Sequence, residues 1–198
     1  MIVRLQPLTS SLIGQLAELA REGFTRPGFA RFVDEQGWQE RDDRFETASG
    51  HRLVPAVPLE DWEDQQPSFH LPFCYFDPSE EAEDGPLGDE FHELSELDGW
   101  DVLASDAVPF FEGWRHGCEM VSGVLGQPEL TLTMETEPEA WHFAAWRVGA
   151  VAVVVAQGEE FLSYGELSMA AVWLVQQAPD APLPSDGAAF YSWLLGED

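Results

Sequence analysis

No lysine occurs among the 198 residues, and all nine basic residues are arginines: Arg4, Arg21, Arg26, Arg31, Arg41, Arg44, Arg52, Arg115 and Arg147. With no lysine there can be neither a Walker-type lysine to cradle a phosphate nor a Schiff base, so kinase-type and pyridoxal reactions are excluded. The G-x-G-x-x-G and G-x-S-x-G signatures are missing too, and with them the local signs of a dinucleotide site and of a hydrolase nucleophile. Cysteine is scarce, with Cys74 and Cys118 alone. The first residues, MIVRLQPLTS, offer neither a basic leader nor a long apolar run, so the expected location is the cytoplasm with both thiols reduced. The longest apolar run, Ala150 to Ala156, is seven residues, too short to span a bilayer, and no membrane partner is expected.

Acid is what the chain has in excess: 37 aspartates and glutamates give a net charge of −28. The excess is regional. Residues 1–52 hold eight acids and seven arginines, for a net −1, whereas residues 53–198 hold twenty-nine acids and two arginines, for a net −27. Such a field repels nucleic-acid phosphates and anionic membranes and attracts cations and basic proteins, so no nucleic-acid partner is expected. A high-salt habitat would spread acidity evenly. The balanced first 52 residues and a load of eight tryptophans and thirteen phenylalanines argue against that origin.

Length and a 44% apolar composition fit a single domain, 1–198, with a proper core. Residues 1–52 form a charge-balanced, helical N-terminal part, in which Met1–Leu5 can be a short strand. One helix is expected from an N-cap at Thr9 or Ser10, burying Leu12, Ile13, Leu16, Leu19 and Ala20, and a second, short one starting after Pro27, burying Phe29, Phe32 and Val33, and stopping at Gly37. Arg21, Arg26 and Arg31 stand beside Glu18, Glu22, Asp34 and Glu35 and suggest a salt-bridged surface. From Phe45 to Phe76 prolines interrupt every extended stretch, which points to edge strands or irregular segments. Residues 77–101 contain no arginine and read as an exposed acidic loop with one helical turn around Glu90 to Leu97.

The main helix is expected over Asp106–Leu125, where Val108, Phe111, Trp114, Cys118, Val121 and Leu125 follow a 3.6-residue period with Pro109 in the first turn. After it the period becomes two. Leu130–Met134, Trp141–Val148, Ala150–Gln157 and Leu167–Val175 predict an antiparallel meander, although the last segment also has helix-forming composition. A short terminal helix is expected over Ser185–Leu195. The fold class is therefore α+β, a C-terminal antiparallel meander packed against a central helix, with helices at the N-terminus.

Four constellations bear on chemistry. The Asp84–Gly85 pair invites alignment to a calcium-binding EF-hand, but position 3 then falls on Ala82 and position 12 on Phe91, so two essential ligands are missing. His92-Glu93-Leu94-Ser95-Glu96 lacks the second histidine of a zincin helix. His70, Cys74, His116 and Cys118 could supply a Cys₂His₂ zinc set, yet their spacing matches no knuckle and apolar neighbours suit buried cysteines. No metal or other cofactor is expected. Trp62, Trp100, Trp114, Trp141, Trp146 and Trp173 could line a cleft but fall at core spacing.

What survives is an acidic surface on a compact body without a reactive centre, which describes a protein that works by being bound. Clustered carboxylates can imitate a nucleic acid's phosphates or pair with a basic active site, and a basic protein such as a nuclease toxin is the expected partner. Its binding residues are expected to be Asp77, Glu80, Glu81, Glu83, Asp84, Asp89, Glu90, Glu93 and Glu96. The helix end Leu125-Gly126-Gln127-Pro128, Trp141 and Trp146 on one strand, the Val151–Val155 strand, the turn Gly158-Glu159-Glu160 and a closing strand together resemble the layout of small bacterial toxin-immunity proteins. The resemblance is confined to the C-terminal half and implies a class of role, that of an inhibitor, with no residue roles. Two alternatives stand beside it: a carboxylate- or metal-dependent hydrolase, and an acidic scaffold or assembly subunit.

Overall fold

A computed structural model of the chain describes residues 2–41, 44–62, 67–77, 100–103, 109–136, 140–159 and 168–196. Its elements in chain order are β1 (Ile2–Leu5), α1 (Ser10–Glu22), α2 (Arg26–Gln36), β2 (Gln39–Arg41), β3 (Arg44–Glu46), β4 (Arg52–Pro55), a 3₁₀ turn (Leu59–Asp61), β5 (Ser68–Asp77), β6 (Asp101–Leu103), α3 (Pro109–Leu125), β7 (Leu130–Met134), β8 (Trp141–Val148), β9 (Val151–Glu159), β10 (Ser168–Gln176) and α4 (Gly187–Leu195). The fold is α+β. The strands form a ten-stranded antiparallel sheet in the order β2-β3-β4-β5-β10-β9-β8-β7, with β1 also on β5 and β6 on β1.

Local chemistry starts and stops the helices, and α2 begins earlier than expected, at Arg26, because Pro27 is tolerated in its first turn. The Thr9 hydroxyl accepts from the Leu12 N–H at 3.1 Å to open α1, and the Thr25 hydroxyl accepts from the Gly28 N–H at 3.2 Å to open α2. Gly37 closes α2 in the left-handed region at φ 67°. Residues 1–52 contain these two helices and also β1, β2 and β3, which join the common sheet.

The meander is β7-β8-β9-β10, and Gly149, at φ 62°, turns β8 into β9. The fourth segment is strand from Ser168: β10 lies between β5 and β9 and is buried along nearly its whole length. Its Ala-Met-Glu-Gln content yields to burial on both faces, which rewards the β-branched and aromatic residues Val172, Trp173 and Val175.

The expectation of edge strands between Phe45 and Phe76 is corrected. β5 is a central strand, and β4 lies inside the sheet between β3 and β5. Pro72 is tolerated in β5 because the β10 register shifts between Ala170 and Ala171, pairing Ala171 with Pro72 and Ala170 with Cys74 and leaving Phe73 as the extra residue of a bulge. On the other edge of β5 the neighbour changes at the same point: β4 pairs at Phe69 and His70, β1 from Cys74 to Asp77. The missing N–H therefore falls where no regular ladder runs.

Directly opposed residues share a face of the sheet. Leu71, Val172, Val155 and Ala144 stand in register on the face covered by α1 and α3, and Trp173, Val154 and Ala145 on the other. There α4 covers β8 through Phe190, whose ring lies 5.3 Å from that of Phe143. The bulge turns both Phe73 and Cys74 toward α3, which approaches closely because Gly113 and Gly117 present no side chains. A Cβ at Gly113 would lie 2.5 Å from Cys74 Sγ, and one at Gly117 would lie 2.5 Å from Phe73 Cζ. Trp114 fixes the helix further, its indole N–H donating to the Val155 carbonyl at 3.1 Å. Gln157, buried in β9, accepts from the His142 N–H at 2.9 Å and donates to the Phe110 carbonyl at 3.1 Å, tying the first turn of α3 to two strands. Trp62, Trp114, Trp141, Trp146 and Trp173 all belong to the core.

Candidate partner surface and buried titratable groups

Of the nine acids expected to meet a partner, Asp77 ends β5, where its backbone pairs with Ile2. Glu80, Glu81, Glu83, Asp84, Asp89, Glu90, Glu93 and Glu96 lie outside the described residues, as does the helical turn expected near Glu90–Leu97. The ends of the acidic stretch are placed. Asp77 stands opposite Ile2 and Asp101 opposite Leu5, so the stretch is anchored at the two ends of β1.

The rest of the acidic body is distributed. Asp101, Glu112, Glu119, Glu129, Glu135, Glu159, Asp180 and Asp186 are all exposed, on different strands, helices and turns. Both arginines after residue 52 are engaged within the chain. Arg115 binds Glu112 and Glu119 one turn either side of it on α3, and Arg147 reaches Glu129 at 3.3 Å and the Pro179 carbonyl at 3.0 Å. The remaining carboxylates therefore find no lysine and no spare arginine in this half of the chain.

The four candidate zinc ligands do not converge. Cys74 points to α3, whereas His70 is on the opposite face, stacked on Trp173 with ring centroids 4.7 Å apart. His116 and Cys118 are two residues apart on a helix, a spacing that sends side chains in different directions. Among the described residues no group of three or more His, Cys, Asp or Glu is placed to hold a metal. Burial pushes both thiols up to about 12, with the Glu119 carboxylate adding to the effect on Cys118. His70 is driven down to about 4 by the same loss of water, with its Nδ1 sealed from solvent. His51 is also held low by burial, against the pull of neighbouring backbone groups, although its Nδ1 meets the Ser49 hydroxyl at 3.0 Å. His142 is lowered by burial against the opposing charge of Glu135, and its ring lies 4.9 Å from Phe111 and 5.2 Å from Trp114. These groups are neutral packing elements near neutral pH.

Sequence reasoning overlooked a cleft on the margin of the sheet, lined by Arg26, Phe29, Ala30 and Val33 of α2, Glu40 of β2, Phe45 of β3, and Leu59 and Trp62 near the 3₁₀ turn. The signal was present in part: positions 26, 29, 30 and 33 form one helical stripe. The salt-bridged surface expected there is only partly formed. Arg31 pairs with Glu22 at 3.2 Å and with Glu35 at 3.8 Å, while Arg21 and Arg26 make no ion pair among the described residues.

No described helix is long and apolar enough to cross a membrane. No family model matches the chain, and neither a curated protein nor a solved structure matches it.

Proposed function

We propose that the protein is a non-enzymatic acidic binding protein, an inhibitor of the immunity type that neutralises a basic partner in the cytoplasm. The observation that carries this reading is the charge left over within the C-terminal half. Residues 53–198 hold twenty-nine acids, and their two arginines are spent on Glu112, Glu119 and Glu129. A sheet with a dense aromatic core supplies a platform for the exposed carboxylates of the described strands and helices, and a concentrated negative field steers a cationic surface toward it. The acids from Asp77 to Glu96 are the proposed contact region, which follows β5 at Asp77 and precedes β6 at Asp101.

The test is a stopped-flow measurement of association with a basic nuclease, alongside an assay of its inhibition. Association should slow by about tenfold or more between low and high salt, as expected for steered encounter. Replacing Glu80, Glu81, Glu83 and Asp84 by their amides should slow it similarly and leave the unfolding midpoint intact. A rate indifferent to both changes would overturn the electrostatic mechanism.

A further inference from the structure

The cleft at the α2 margin combines three properties. Its volume of about 410 Å³ falls within the range of roughly 300–1,000 Å³ typical of small-molecule sites. Its floor is a locked aromatic cluster: Phe29 meets Phe45 edge-on at 4.8 Å, Trp62 at 5.5 Å and Phe69 in a stack at 4.7 Å. The Trp62 indole is held by a bond to the Val57 carbonyl at 3.3 Å. Such a floor loses little conformational freedom on binding. Thirdly, Arg26 and Glu40, both exposed, line the same cleft, and neither makes an ion pair with the other or with any described residue. Their neighbours are committed elsewhere, Arg31 to Glu22 and Glu35, and Arg41 to Glu46.

Arg21 shares the lack of an ion pair, and what sets Arg26 apart is its place beside an apolar box that also presents an acid, Glu40. At the N-terminus of α2 the Gly28 N–H is already bound by the Thr25 hydroxyl. We infer that this cleft binds a free α-amino acid with a large apolar, preferably aromatic, side chain. Its carboxylate pairs with the Arg26 guanidinium in the bidentate manner that planar groups favour, and its ammonium pairs with Glu40. Its side chain packs against Phe29, Phe45 and Trp62, where aromatic rings gain from edge and offset contacts beyond simple burial. A simple carboxylate would leave Glu40 unanswered, and a simple amine would leave Arg26 unanswered. The site lies in the charge-balanced N-terminal part and is independent of the acidic surface.

Calorimetry and saturation-transfer NMR with L-phenylalanine test the inference, with N-acetylphenylalanine and phenylalanine amide as singly charged controls. L-Phenylalanine should bind saturably, and each control should bind about tenfold or more weakly, the scale of one lost charge-assisted contact. Arg26→Gln and Glu40→Gln should each weaken phenylalanine to a similar degree. Both positions are exposed, so their circular dichroism and unfolding midpoints should match the parent's. Ala30→Trp should abolish binding by filling the cleft, and the two glutamine variants decide the matter if that one does not fold. Absence of phenylalanine binding, affinity unchanged in both glutamine variants, or controls that bind as well as phenylalanine would overturn the inference.

Discussion

Beside α1 on one face of the sheet lie α2 and α3, and these two cover it differently. Against β5 and β9, α3 descends on two glycines until Gly113 and Gly117 lie in contact with Cys74 and Phe73, and no space is left. At the margin, α2 rests on Phe45, Phe69 and Trp62 but leaves about 410 Å³ beside Ala30 and Val33. Charge follows the same division. The arginine on α3 is consumed by Glu112 and Glu119, and the arginine at the head of α2 is left unpaired among the described residues. A closely packed centre whose arginine is committed serves rigidity, and a margin with a cleft and an unpaired arginine is equipped to meet a ligand.

The largest expected effect probes the centre. Phe73→Ala should cost about 3–5 kcal/mol in urea unfolding, because the void beneath α3 cannot be reached by solvent. Phe45→Ala, which opens onto a cleft already continuous with water, should cost distinctly less. The reverse order would break the comparison.

A second probe uses the buried histidine. His70 is held down to about 4, so in the folded state it stays neutral between about pH 4 and 6.5, while the unfolded chain takes up a proton there. The unfolded state binds more protons in that window, so stability is fully present above pH 6.5 and declines as pH falls toward 4. The decline attributable to His70 is on the order of 3 kcal/mol. Relief of acidic self-repulsion works in the opposite direction, so the informative quantity is the difference between parent and His70→Phe in the slope of unfolding free energy against pH. Equal slopes would show that His70 is protonated in the fold.

The smallest effects sharpen the contrast between helices. Gly117→Ala should lose about 1–2 kcal/mol despite the better helix propensity of alanine, since its Cβ would press on Phe73. Gly14→Ala in α1, where a Cβ meets nothing within 4 Å, should instead gain up to about 1 kcal/mol. Thermal unfolding of the two variants checks both signs.

Much of the fold was legible in the chain because it rests on local rules. Thr9 and Gly37 mark helix ends, the 3.6-residue stripe marks α3, and the switch to a two-residue period marks the start of the meander at β7. The central position of β5 was not legible. Proline reads locally as a breaker, and its acceptance depends on a bulge with β10, roughly a hundred residues away, and on an exchange of neighbours from β4 to β1. The cleft was hidden for a related reason. Positions 26 to 33 show a stripe, but its opposite wall comes from Glu40, Phe45 and Trp62, which no periodicity connects.

Composition alone determined the absence of lysine chemistry and the concentration of acid after residue 52, because charge and reactive groups are properties of residues irrespective of where they lie. Tertiary structure decided which charges are spent and which volumes are filled. Arg115 and Arg147 lost their availability to neighbouring acids, Arg26 kept its own beside an aromatic box, and Cys74 was separated from His70 by the thickness of a sheet. Those outcomes are distances between residues remote in sequence, and only packing sets them.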